Sequence, residues 1–110
     1  GAVRAVAAQV EAGTADELLE VSDAVKRLLG DGAAVLLGAV LDGRVMLVAN
    51  MAPGAVAAGV SAAAVMKEVA PIVGGGGGGK ESMARAGGKD PSKLPQALQR
   101  ARELLAGAGG

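Results

Sequence analysis

The sequence contains no cysteine, no histidine and no aromatic residue in its 110 positions. Without cysteine there are no disulfides and no thiol chemistry, which favours an intracellular protein. Without histidine, imidazole general-base catalysis and most zinc sites are excluded, and carboxylates are left as the metal ligands to consider. Without Phe, Tyr or Trp, the core has to be built from closely packed Ala, Val, Leu, Ile and Met side chains.

Net charge is also lacking, because 11 Lys and Arg balance 11 Asp and Glu. Overall charge therefore gives no argument for a nucleic acid or a membrane as partner. The distribution is uneven, however. Residues 1–79 hold five basic and eight acidic groups, a net charge of −3, whereas residues 80–110 hold six and three, a net charge of +3. Basic character begins where a run of glycines ends.

A chain of this length is expected to form one domain, so we treat residues 1–110 as a single unit. It begins at Gly1 rather than Met, and we interpret it as a segment of a longer protein. The uncharged run 45–66 is long enough to cross a membrane. Asn50, Pro53 and Gly54 divide it into short globular elements, so we expect no membrane partner.

The glycine run at 74–79 organises the rest of the chain. Glycine-rich runs are commonly flexible linkers, and a linker here would leave a second piece too short to fold alone. The leucines beyond the run, Leu94, Leu98, Leu104 and Leu105, need an apolar surface supplied by residues before it. We therefore favour a glycine-rich loop inside one domain.

Patterns in the first half predict a strand, a helix and a hairpin. Residues 2–11 alternate in the manner of a strand, and Thr14 with Glu17 forms a capping box for a helix through Leu29. The apolar run 33–40 suits a strand buried on both faces. Asp42-Gly43 between two apolar runs is a strong hairpin signal, with the second strand at 44–50.

In the second half, Pro53-Gly54 turns the chain into a helical turn, and Ser61 caps a helix from Ala62 to about Ala70. Residues 82–87 alternate as a short strand. Asp90 or Ser92 starts the last helix, and the tail 107–110 is expected to fray. The order of elements predicts an α+β fold, with a small mixed sheet of about four strands covered by three or four helices.

The run GGGGGGK matches most of the phosphate-binding loop G-x-x-x-x-G-K-[ST], with Gly74, Gly79 and Lys80 in place. Glu81 occupies the position where a hydroxyl must hold magnesium, and Ser82 comes one residue late. A nucleotide-hydrolysing loop is therefore disfavoured. A weaker prediction remains, because side-chain-free N–H groups beside a lysine can wrap an anion or lie against a sugar-phosphate surface.

Arg85, Lys89 and Lys93 follow at spacings that could continue a basic edge, although solvated surface charge explains them equally well. On the first reading, the candidate RNA-binding residues are Gly74, Gly75, Gly76, Gly77, Gly78, Gly79, Lys80, Ser82, Arg85, Lys89 and Lys93. We predict no catalytic residue, no metal ligand and no cofactor.

The segment Gly74–Gly88 with Lys89-Asp90-Pro91 resembles the C-terminal signature of alanyl-tRNA synthetases. In that family a glycine cluster runs into an Arg-Pro-Asp-Met-Ala-Gln-Ala-Gly-Gly type of sequence. The match is at Met83 and Ala84 and from Ala86 to Gly88, with Lys80 keeping the charge of the usual Arg. Glu81, Ser82 and Arg85 depart from the usual Pro, Asp and Gln.

The resemblance extends over the whole chain and implies the globular part of that enzyme's C-terminal domain. In the family this part helps bind the outer corner, or elbow, of tRNA and links aminoacylation with editing. The implied partners are tRNA, alanine-specific tRNA in particular, and the upstream aminoacylation and editing domains. The implied location is cytoplasmic, and the implied role of the fragment is noncatalytic.

Two alternatives remain open. The chain also resembles the substrate-binding domain of DHH-type phosphoesterases, which act on short oligonucleotides or cyclic dinucleotides. Those proteins usually carry Gly-Gly-Gly-His at this point, and here Lys80 follows the glycines. A third reading is a self-association or scaffold domain, with Met46, Met51 and Met66 contributing apolar surface.

Overall fold

A computed structural model describes residues 3–107 and places one sheet between two layers of helices. The predicted first strand begins at Ala2, and the predicted fraying concerns Gly107–Gly110; Ala2 and residues 108–110 lie outside the described part. The elements in chain order are β1 (Arg4–Gln9), α1 (Ala15–Leu29), β2 (Ala33–Leu41), β3 (Arg44–Met51), α2 (Pro53–Ala57), α3 (Ala62–Val69), a 3-10 turn (Ala70–Val73), β4 (Gly76–Gly79), β5 (Met83–Gly88), a 3-10 turn (Pro91–Lys93) and α4 (Leu94–Gly107).

The sheet has five strands in the order β1-β2-β3-β5-β4. β1 pairs with β2 in parallel, and the other neighbours are antiparallel. The predicted α+β class and mixed sheet are confirmed, with one strand more than the four expected. The additional strand is β4, which consists of glycines that the sequence analysis assigned to a loop.

The hairpin between β2 and β3 is as predicted. Asp42 and Gly43 both have positive φ, 51° and 76°, as a two-residue type I′ turn requires. β2 lies inside the sheet, between β1 and β3, and is buried from Ala33 to Ala39. Its residues contribute alternately to the two sides of the core, which explains why this strand is a continuous apolar run.

Two core layers lie on opposite faces of the sheet. On the α1 side, Leu18 belongs to one buried cluster with Val35, Leu37 and Val48. On the other side, α3, the 3-10 turn after it and α4 cover a larger core that includes Leu36, Leu47 and Met66. In this second layer Arg100 of α4 donates to the Glu68 carboxylate of α3 at 2.8 Å, and this contact raises the pKa of the arginine.

The helix starts follow the predicted caps, with one refinement. The Thr14 hydroxyl accepts from the Glu17 N–H, and the Glu17 carboxylate accepts from the Gly13 N–H, which completes the capping box. Ser61 caps α3 as predicted. Before the last helix, Asp90 rather than Ser92 is the capping residue, and it caps the 3-10 turn that precedes α4.

Two polar side chains, Asn50 of β3 and Ser22 of α1, are buried where α1 packs on β3. The Asn50 amide donates to the Ser22 hydroxyl at 3.0 Å and to the Asp23 carboxylate at 2.7 Å. The Asn50 carbonyl oxygen has no hydrogen-bond partner among the described residues. The two donated bonds join α1 to β3.

None of the helices in residues 3–107 is both long enough and apolar enough to cross a membrane.

Candidate nucleic-acid interface

The glycine run forms the outermost strand of the sheet and is held at both ends. Gly74 ends the 3-10 turn in the left-handed conformation with φ 71°, and the Gly75 N–H donates to the Ala70 carbonyl at 3.1 Å. At the other end the Lys80 N–H donates to the Met83 carbonyl at 2.7 Å. The intervening glycines pair with β5, so four of the six predicted loop residues form a strand.

Alternate glycines of the run differ in whether the structure leaves room for a side chain. A Cβ atom on Gly75, Gly77 or Gly79 would overlap the backbone of β5, because the two strands approach too closely for a methyl group. A Cβ atom on Gly76 or Gly78 would meet nothing within 4 Å. Packing therefore requires glycine at 75, 77 and 79 and gives no reason for it at 76 and 78.

The exposed glycines lie on a part of the sheet that no helix of the described chain covers. Ala84 and Ala86 of β5 point into the larger core, so Arg85 and Gly87 point to the α1 side. Gly78 pairs with Arg85 and Gly76 pairs with Gly87, which places all four on one surface. Since α1 packs over β2 and β3, this surface stays open; we call Gly76, Gly78 and Gly87 the glycine shelf.

The turn between β4 and β5 is anchored to the start of α3. The Ala62 N–H donates to the Glu81 carbonyl at 2.8 Å and the Ala63 N–H to the Lys80 carbonyl at 3.1 Å. These bonds occupy helix N–H groups that could otherwise bind an anion. The chain continues from this turn into β5 rather than into a helix. The strand that follows excludes a phosphate-binding loop of the nucleotidase type, in which a helix has to follow.

Basic groups flank the shelf at both ends. Lys80, Ser82 and Arg85 line a surface hollow of about 330 Å³ together with Gly78; we call it the Lys80 hollow. Lys89 lines a second hollow of about 200 Å³ between the ends of β3, β4 and β5. Lys93 lies in the following 3-10 turn, and neither hollow includes it.

These cations are available to a partner. Lys80, Arg85, Lys89 and Lys93 are exposed, and within residues 3–107 none of them has a carboxylate within 4 Å. Residues 3–107 contain no cluster of three carboxylates that could hold a metal ion. The surface therefore combines exposed positive charge with bare backbone, which suits contact with a phosphate chain.

Arg44 is a basic residue of this surface that the sequence analysis did not single out. It lines the second hollow with Lys89, Gly74 and Gly87. Its position follows from strand pairing, because Val45 lies opposite Gly88 of β5. Arg44 and Lys89 are far apart in the sequence, so their proximity has no sequence signal of its own.

The family model described as "DHHA1 domain" matches residues 2–107. The alanine–tRNA ligase of Roseiflexus sp. strain RS-1 is 42% identical over 110 residues, and that of Desulforudis audaxviator is 44% identical over 103 residues. These alignments cover 100% and 94% of this chain. The chain spans 12% of the length of each of these relatives.

Among solved structures, the C-Ala domain of alanyl-tRNA synthetase from Aquifex aeolicus has the same fold. The TM-score is 0.79 at 27% sequence identity, over 96% of this chain and 91% of the other. The likeness therefore extends over both molecules almost from end to end.

Proposed function

The chain belongs to the DHHA1 domain family, and from this premise we propose that it is the noncatalytic tRNA-binding domain of an alanine–tRNA ligase. Its partners on this proposal are tRNA, alanine-specific tRNA in particular, and the upstream aminoacylation and editing domains. The short share of the relatives' length that it spans supports a role as one module of a larger enzyme. Its location on this proposal is cytoplasmic.

The observation that carries the proposal is the open glycine shelf flanked by exposed cations that form no ion pair within residues 3–107. A glycine surface lets a partner's backbone approach the peptide groups closely, and Lys80, Arg85 and Lys89 supply charge for phosphates. Without aromatic side chains, stacking of bases on Phe, Tyr or Trp does not contribute. Recognition on this proposal depends on shape and on the sugar-phosphate backbone, which is how structured RNA is commonly recognised.

The contact region on the tRNA is proposed to be the elbow. A paired shelf without side chains suits a shaped, folded surface better than a flexible single strand, since the contour of the shelf is set by the protein backbone. By binding the elbow, the domain would keep one tRNA attached while its acceptor end moves between the aminoacylation and editing sites.

The DHH-type phosphoesterase alternative shares the family and differs in substrate. The two relatives compared above are ligases, and Lys80 replaces the usual histidine after the glycines, so we favour tRNA. The self-association alternative is weakened for two of the three methionines, because Met51 and Met66 are fully buried in the core and Met46 is partly buried.

The test is a titration of the domain with folded alanine-specific tRNA and with an unstructured RNA of equal length, each at low and moderate salt. We expect tighter binding to folded tRNA, weakening as salt rises because phosphate contacts release counterions. A Lys80→Ala/Arg85→Ala/Lys89→Ala variant should lose most of this binding. The matched control is Arg4→Ala/Arg27→Ala/Lys67→Ala, which removes the same charge from exposed positions outside both hollows.

Unchanged tRNA affinity in the first triple variant would refute the assignment of these residues. Absence of binding to either RNA would refute the proposed function for the domain by itself. Mass that rises with protein concentration in the absence of RNA would favour self-association.

A further inference from the structure

The second hollow beside the shelf has features of a phosphate site in its own right. We infer that Arg44 and Lys89, on a floor of glycine backbone, bind one phosphate of the RNA at the opposite end of β4 from Lys80. This inference rests on the proposed function and adds a contact residue, Arg44, and a direction for the bound strand. We call this second site the Arg44 hollow.

Arg44 is placed on the shelf side by the register of β3. Val45 points into the larger core, whereas Met46 packs on the α1 side. Because side chains alternate along a strand, Arg44 shares the side of Met46. Met46 lies opposite Gly87, so Arg44 lies just beyond the end of the glycine shelf.

The walls of the Arg44 hollow allow close approach but offer few free donors. The N–H groups of Gly74, Gly75 and Lys89 donate to the carbonyls of Pro71, Ala70 and Val73. Gly88 is fixed by β3, and its Cα faces Val73 too closely for a side chain. An anion in this hollow would therefore be bound by the two cationic side chains, rather than by a nest of amides.

Both cations are free to make this contact. Arg44 and Lys89 are exposed, and neither is part of an ion pair within residues 3–107. Asp90, the acidic neighbour of Lys89, accepts from the Ser92 N–H and hydroxyl through its Oδ1, so one of its two carboxylate oxygens is engaged as a cap. A guanidinium and an ammonium on either side of one hollow can both contact the oxygens of one phosphate group.

The two hollows lie at opposite ends of the strand. Five residue steps separate Gly75 from Lys80, and at the rise of an extended strand they correspond to about 17 Å. A phosphate at each end would align the RNA backbone with β4, across Gly76 and Gly78. This alignment also gives a reason for the two glycines whose identity packing does not explain.

The experiment measures the affinity of the whole chain for an alanine tRNA transcript as a function of salt. The variants are Arg44→Ala, Arg44→Lys, Lys80→Ala, the double Arg44→Ala/Lys80→Ala, and Arg27→Ala as the control for loss of one exposed positive charge. Circular dichroism of each variant checks the fold. The Arg44 side chain makes no hydrogen bond within residues 3–107, so its removal should leave the fold intact.

We expect Arg44→Ala to weaken binding roughly fivefold at low salt and to reduce the slope of log K against log salt by about 1. Arg44→Lys should keep most of that slope because the charge remains. The double variant should lose about 2 units of slope, since contacts this far apart act independently. Arg27→Ala should match the parent.

The outcomes separate the inference from the function it rests on. If Lys80→Ala weakens binding and Arg44→Ala does not, the Arg44 hollow is refuted and the proposed function stands. If Arg44→Ala and Arg27→Ala weaken binding equally, the effect is one of overall charge, and the inference is wrong. If the parent chain does not bind the tRNA, the proposed function and this inference both fail.

Discussion

Neighbouring glycines of β4 should respond in opposite ways to the same substitution. In Gly77→Ala the new Cβ would overlap the Arg85 carbonyl oxygen and lie 2.6 Å from the Ala86 Cα, so β4 or β5 has to move. In Gly78→Ala the new Cβ meets no atom within 4 Å, and the backbone there is not left-handed. One residue along the strand therefore decides the sign of the effect.

The magnitudes follow from these two environments. Forcing a methyl group into a closely packed position costs about 1 to 3 kcal/mol. Replacing a glycine by alanine where the conformation permits it stabilises by about 0.4 to 1 kcal/mol, because the unfolded chain loses freedom. The two variants should thus differ in unfolding free energy by about 1.5 to 4 kcal/mol.

Denaturant unfolding followed by far-ultraviolet circular dichroism measures this difference, since the chain has no tryptophan or tyrosine for fluorescence. Thermal unfolding gives a second reading, at about 4 °C per kcal/mol for a domain of this size. Opposite signs from those expected would mean that β4 is paired one residue out of the register described. Equal stabilisation by both alanines would mean that the glycine run is an unpaired loop.

Two further changes test how α1 is held on β3 and how α4 packs on β2. Asn50→Asp places a carboxylate beside that of Asp23 in a buried position and should lower the unfolding free energy by about 3 kcal/mol at neutral pH. Part of this loss should be recovered on acidification, as the new carboxyl protonates. A loss that does not change with pH would contradict this explanation. Gly38→Ala brings a methyl group to 2.8 Å from Leu94 Cδ1 and should cost about 1 to 3 kcal/mol in chemical denaturation. Leu94→Val in the same chain should relieve part of the Gly38→Ala cost, whereas strict additivity of the two changes would show that they do not contact each other.

Features with a local chemical signature were predictable from the sequence. The Asp42-Gly43 turn, the Thr14 capping box and the buried run of β2 each follow from residues close together in the chain. The basic groups after the glycines were also visible as a change in charge. That Lys80 and Arg85 lie on one surface is known only from the structure, and their contact with RNA stays a prediction.

The glycine strand could not be predicted, because strand patterns are read from alternating side chains and glycine has none. Its pairing is fixed by its surroundings instead: the 3-10 turn before Gly74, the turn held by the start of α3, and the close approach of β5. Arg44 was missed for a related reason. Arg44 lies close to Lys89 only because β3 and β5 are adjacent, and this adjacency is a property of the sheet order.

The outer position of β4 also bears on how this protein avoids aggregation. An edge strand directs unpaired amide and carbonyl groups outward, and another molecule's strand can add to it. Amyloid-like growth, however, requires side chains that interlock between sheets, and Gly76–Gly79 supply none. The all-glycine composition that leaves the shelf bare therefore also makes this edge a poor template for self-assembly. The strand has this property although it contains no charged residue or proline, the residues that commonly protect an edge strand.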